Sequence, residues 1–162
     1  MIHSTLILLT AMGLLATGKT ATTMDERCRK EVEELHQFFQ NWFTGHLDPS
    51  DKDFQRFSNV MADGFEIISP DGGRMKRSEI LTRVRDGHGS SKGEGFRIWI
   101  ENYRSRPIGN DLLLVTYEEW QEAGSDKRGR VSTAVFRPKS ETPNGVEWLH
   151  VHETWLSEAA AR

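Results

Sequence analysis

Near the end of a 162-residue chain, the segment Trp148-Leu149-His150-Val151-His152 sets two imidazoles two residues apart. Side chains on a strand alternate, so His150, His152 and Thr154 share one face. An imidazole of this kind titrates near neutral pH and can orient a ligand or move a proton. Glu118, in the run Leu112 to Glu122, is the second group able to do such work. A carboxylate there acts as a general base when its pKa is raised, or as the partner of an inward His or Arg. His150 and His152 face the same way and would share a metal only with a third ligand, which no spacing in the chain requires. The expectation is therefore no metal and no cofactor. Gly72-Gly73 and Gly93-x-Gly95 lack the strand-turn-helix setting of a phosphate loop.

The elements that must position these groups follow from pattern. Thr23-Met24-Asp25-Glu26 has capping-box spacing and predicts a helix with Val32, Leu35, Phe39, Trp42 and Phe43 along one face, stopping at Gly45. Pro49-Ser50 opens a second helix that carries Phe54, Phe57, Val60 and Met61 and ends at Asp63-Gly64. Phe65 to Ser69 reads as a strand, closed by the turn Pro70 to Gly73, and a third helix carries Ile80, Leu81 and Val84 up to Gly87. Four strand segments follow: Phe96 to Arg104, Leu112 to Glu122, Arg130 to Pro138 and Val146 to Leu156. Short turns separate them, so sequential antiparallel pairing is the simplest topology. Three helices followed by a curved antiparallel sheet make an α+β domain in which the sheet wraps around the helices.

Composition narrows the classes. Apolar residues make up 36% and charged residues 28%, with five Trp and eight Phe, which excludes a disordered chain. Twenty-one basic residues scattered among 24 acidic ones, net −3, supply no field for nucleic acid. A lone Cys28 excludes an intrachain disulfide. Leu6 to Gly18 is an uncharged apolar run with the length of a signal-peptide core, too short to span a bilayer, and Ala16-Thr17-Gly18 would serve as its cleavage site. Residues 1–22 are thus expected to stand apart as an export segment of a secreted or periplasmic protein. Initiation at Met24 and a cytoplasmic location are the alternative. A single domain is expected over residues 23–157, with a short tail over 158–162.

The order of elements, with Met61-Ala62-Asp63-Gly64-Phe65-Glu66-Ile67-Ile68-Ser69-Pro70-Asp71-Gly72 and the terminal Trp148-Leu149-His150-Val151-His152, resembles the nuclear-transport-factor-2-like superfamily from about Glu31 to Leu156. Ketosteroid isomerases, SnoaL-like polyketide cyclases and the association domain of calcium/calmodulin-dependent kinase II belong to it. The resemblance implies a cone with a pocket between helices and concave sheet, and a homodimer through the outer sheet face. It turns His150 and His152 inward, and likewise Thr116, Glu118 and Trp120. The outer face is left with Tyr117, Glu119, Val131, Thr133, Val135 and Trp155. On this basis His152 and Glu118 are the catalytic candidates. Phe38, Trp42, Ser69, Trp120 and His150 are the residues expected to line the pocket and hold a small apolar or aromatic metabolite. Steroid isomerisation is excluded, because the positions matching that enzyme's base and two acidic donors are Ser69, Phe38 and Ala134. A lyase, cyclase or isomerase of another kind is the expected function, and a noncatalytic association domain is the alternative.

Overall fold

Thr23 Oγ1 accepts the Glu26 amide at 3.2 Å while Glu26 Oε2 accepts the Thr23 amide at 2.7 Å. This reciprocal cap starts α1 (Met24–Phe43) where the spacing predicts. Residues 22–157 are described by the structure, a computed structural model; the apolar run of residues 1–18 and the tail 158–162 lie outside the described residues. Ser50 caps α2 (Asp51–Ser58), and α3 (Arg77–Asp86) ends against Gly87. The second helix stops sooner than its apolar stripe suggests. Met61 to Gly64 instead open β1 (Met61–Ile68), where Met61, Ala62 and Phe65 are buried. A short strand that the sequence did not announce, β2 (Arg74–Lys76), folds back on β1 after a turn in which Gly72 takes a φ of +82°.

The long strands β3 (Arg97–Ile108), β4 (Leu112–Ala123), β5 (Asp126–Pro138) and β6 (Val146–Trp155) form an antiparallel meander. The sheet order is β2-β1-β6-β5-β4-β3, with β1 lying parallel to β6. Six strands and three helices make the expected α+β cone. Besides a register shift of β1 against β6 between Met61 and Glu66, two irregularities in the long strands set which side chains reach its inside. In β3 the pairing with β4 shifts between Glu101 and Arg104, where Asn102 adopts a φ of +52°. In β6, Val135 pairs with His150 but Phe136 pairs with Trp148, so Leu149 is an extra residue. Val146 and Trp148 therefore face the core before this bulge, and Val151 and Glu153 face it afterwards.

The core gathers Val32, Leu35, Phe38 and Trp42 of α1 with Phe54 and Phe57 of α2 and the inner side chains of the sheet. Phe38 stacks on Trp42 and on Phe57, and the Trp42 indole donates to the Val84 carbonyl at 2.7 Å. A second tie is polar. Glu31, fully buried, accepts two bonds from Arg56 at 3.0 Å each, one from Asn144 at 2.8 Å and one from the Trp148 indole at 3.2 Å. It joins α1, α2, the β5–β6 turn and β6. Trp42→Ala removes a fully buried ring and one of the two donors to the Val84 carbonyl, which keeps the Gly87 amide at 3.2 Å. It is expected to cost about 3–5 kcal/mol in denaturant unfolding, a loss that an exposed residue would not show.

Candidate functional site

Between the helices and the concave face lies a cavity of about 570 Å³. Its walls are apolar: Leu35, Phe39 and Phe43 from α1, Phe57 from α2, Phe65 and Ile67 from β1, and Trp148 and Val151 from β6. Phe39 and Phe43 flank the core stripe of that helix and Leu35 belongs to it, so one helix serves core and cavity with adjacent faces. The floor is polar. Glu119 and Gln121 of β4, Arg130 of β5, Glu153 of β6 and His36 of α1 line the same space. Ser69, Asp71, Arg83 and Trp155 also line it, with the first two on the turn after β1.

Glu119 organises the floor. Its carboxylate accepts from Arg130 Nη2 at 2.7 and 2.8 Å, from Gln121 Nε2 at 2.6 Å and meets His36 Nε2 at 3.0 Å. The other His36 nitrogen, Nδ1, lies 2.7 Å from the Val32 carbonyl. Both ring nitrogens thus face acceptors, which only a doubly protonated ring satisfies with two donors. Burial alone would raise the Glu119 carboxyl, but Arg130 and then His36 override it and hold it well below the usual carboxylate range. Glu153 sits on the other side of Arg130, with Oε1 3.1 Å from Nε. That contact is off the N–H axis, and Nε is buried without a hydrogen-bond partner. Burial pushes the Glu153 carboxyl up to about 7; Arg130 opposes the shift and Glu119 adds to it. Burial, then Glu119 and Glu153, raises the Tyr117 phenol well above its ordinary value. The floor is therefore a set of hydrogen-bonding groups with one carboxylate locked in its charged form and another poised near neutrality. Among the described residues no group of three His, Cys, Asp or Glu side chains is placed to hold a metal.

The structure distributes the expected site residues differently. Ser69 lines the cavity and its hydroxyl accepts the Gly73 amide at 3.1 Å. Phe38 and Trp42 are buried in the core behind the cavity wall and do not line it. His150 and His152 lie on the outer face because the Leu149 bulge reverses the alternation of β6, and His152 is exposed. Glu118 and Trp120 also point outward, since α1 packs on the face that carries Val115, Tyr117 and Glu119. There the Trp120 indole donates to Glu118 at 3.2 Å and stacks on Trp99. Tyr117 and Glu119, expected outside, are inside, and so is Trp155 at the cavity's mouth; Val131, Thr133 and Val135 keep the outer position. His36, Arg130 and Glu153 were missed. The available signals were the alternating series Arg130, Ser132, Ala134, Phe136 and the position of His36 one residue off the α1 core stripe.

A curved, unclosed six-stranded sheet around three helices is the nuclear-transport-factor-2-like fold, and solved structures agree. An NTF-2 like protein of unknown function from Pseudomonas aeruginosa superposes with a TM-score of 0.71 at 22% identity, covering 81% of this chain and 99% of that one. The CaMKII hub of S. rosetta gives 0.65 at 12% identity, covering 83% and 98%. At these identities the likeness shows the fold alone. The sequence places the chain more narrowly: residues 28–157 match the family of the sucrose-6-phosphate phosphohydrolase C-terminal domain, and the chain belongs to that family. Sucrose-phosphatase 2 of Nicotiana tabacum is 31% identical over 81% of this chain, and probable sucrose-phosphatase 3a of Arabidopsis thaliana 27% identical over 81%. In both cases the chain spans 31% of the relative's length. This family assignment overturns the expected function. Local motifs had suggested a lyase, cyclase or isomerase, whereas the whole-domain match is to sucrose-phosphatases.

The Glu153 carboxyl has a definite pH signature. Its pKa in the folded chain, about 7, exceeds the ordinary 4.5, so the folded state holds a proton that the unfolded chain releases between those values. Glu153 therefore destabilises the fold increasingly as pH rises through that window. Glu153→Gln should raise the melting temperature relative to the parent at pH 8, with the gap closing toward pH 4.5; a gap independent of pH would refute the assignment. Glu119 has the opposite sign, stabilising above pH 4.5 and losing that contribution on acidification.

Proposed function

We propose that this domain is the sugar-recognising part of a sucrose-phosphatase-type protein, and that its cavity holds a sucrose-like polyhydroxylated ligand. The carrying observation is the floor, where Glu119, Gln121, Arg130 and Glu153 converge beneath aromatic walls. Carboxylates, an amide and a guanidinium can each exchange hydrogen bonds with hydroxyls, while the rings meet the apolar faces of sugar rings. The volume suits a small ligand. The charge at the floor favours a neutral sugar over a phosphate ester, because Arg130 is shared by two carboxylates there; Arg83 and Arg128 also line the cavity, Arg128 over the Trp155 ring. Phosphate-ester hydrolysis is accordingly not assigned to this cavity. The polar floor also makes a polyol a better ligand than the apolar metabolite expected from the sequence.

Titration calorimetry with sucrose tests the reading. Sucrose should bind saturably, and Gln121→Ala should weaken it by about 5- to 10-fold, the worth of one polar contact. Calorimetry is preferred to melting curves because concentrated sucrose stabilises proteins generally by exclusion from their surface. Absence of saturable heat with sucrose and with sucrose 6-phosphate would remove the proposal.

A homodimer through the outer face is a second part of this reading. Leu114, Val131, Thr133 and Val135 lie side by side there, only partly buried in the single chain, on the face away from the helices. An apolar patch at the centre of a sheet face supports a covering partner, and a second copy offers the same patch under two-fold symmetry. Light scattering at micromolar concentration should return twice the chain mass, and Val135→Lys should return the monomer mass; a monomeric parent would overturn the dimer.

A further inference from the structure

The mouth of the cavity carries one feature that the floor does not use. Trp155 ends β6 and is 38% exposed, the only large apolar side chain so exposed among the described residues. It lies on the inner face two residues beyond Glu153, and both line the cavity. Its orientation is set from two sides. The indole Nε1 donates to Asp71 Oδ1 at 2.9 Å, on the turn after β1, and the Arg128 guanidinium carbon sits 5.3 Å from the ring centre. A solvent-exposed indole held by a charged hydrogen-bond partner and a cation gains little stability from its position, whereas a flat ring fixed at a cavity mouth suits stacking.

Resting on the sugar-recognition reading above, we infer that Trp155, with Asp71 and Arg128, forms a second ring subsite, so that the domain recognises a disaccharide across two positions. One ring is held by the hydrogen-bonding floor and the other stacks on the indole. Residues two apart on one strand face are separated by about 7 Å, which sets Glu153 and Trp155 about one sugar unit apart along β6, while Arg130, paired directly with Trp155 across the strands, lies within reach of both positions. Arg128 covers one face of the indole, and the opposite face is the one that would take the C–H side of a ring, an interaction indifferent to stereochemistry at most hydroxyls. Asp71 and Arg128 add the polar contacts at the ring's edge. Because the indole is already clamped, little side-chain freedom is lost on binding.

Titrations of the intact chain with sucrose, glucose and fructose, followed by calorimetry and by indole fluorescence, separate the two positions. Trp155→Ala should weaken sucrose by about 10-fold or more while leaving the affinity for the monosaccharide bound at the floor within about 2-fold. Trp155→Phe keeps a flat ring without the Nε1 donor and should recover most of the sucrose affinity. Sucrose binding that is unchanged in Trp155→Ala overturns the second subsite and leaves floor recognition standing. Equal losses for sucrose and for the monosaccharide also overturn it, since they mark a general collapse of the mouth. A parent chain that binds none of the three sugars overturns both readings.

Discussion

Glu119 and Glu153 occupy an interior that would expel either carboxylate alone, and the Arg130 guanidinium lies between them. Removing two acids from water costs several kcal/mol each, and one cation cannot fully satisfy both. The outcome is asymmetric. Glu119 takes the paired hydrogen bonds of Arg130 together with His36 and Gln121 and stays ionised; Glu153 receives only the misaligned Nε and rises toward neutrality. Such a cluster is weak evidence for stability, since apolar replacements of similar volume often do as well. Its consequence is polarity concentrated at the bottom of an aromatic cavity, with donors and acceptors already aimed. The rest of the inner surface, from Phe39 to Trp148, surrounds that floor with apolar groups, and the lower local polarity makes each of those hydrogen bonds count for more.

Most of the architecture was legible from spacing. The α1 cap at Thr23, the end of α3 at Gly87, the order of the four long strands and their antiparallel pairing all follow from local chemistry. The site was legible only in kind. On β4 both faces carry residues of mixed polarity, so alternation alone does not say whether Glu118 or Glu119 is inside; the decision belongs to α1, which brings His36 to one face. On β6 the single extra residue Leu149 exchanges the faces beyond it, moving His150 and His152 out and Glu153 in. A bulge leaves no composition signal, and a displacement of one residue reverses every functional assignment that rests on period two. Family resemblance placed the fold correctly, yet it could not place parity, because parity turns on such single residues. The motif-level likeness to several enzyme groups was likewise too local to identify the nearer relationship to the sucrose-phosphatase domain family.

Glu31 shows the same economy of polar groups in a different setting. It carries no cavity role, and its four hydrogen bonds fasten α1 to α2, to the turn holding Asn144 and to Trp148. The helices and the last hairpin are therefore positioned against each other by directional contacts as well as by packing. This keeps the cavity's two halves in register.

The parallel pairing of β1 with β6 carries a further consequence. Met61 pairs with Trp148 and Ile68 with His152, so the strand laid down early in the chain must wait for nearly the last one. The meander from β3 to β6 closes short loops and can form by local zippering, but the β1–β6 seam closes a long one and gains its hydrogen bonds only after that entropy has been lost. On a ribosome, the helices, β1 and β2 would emerge with β6 still unsynthesised, and the β6 side of Met61 and Phe65 would stay open until Trp148 arrived. The cavity has walls from both sides of that seam, so it is completed only when the seam closes.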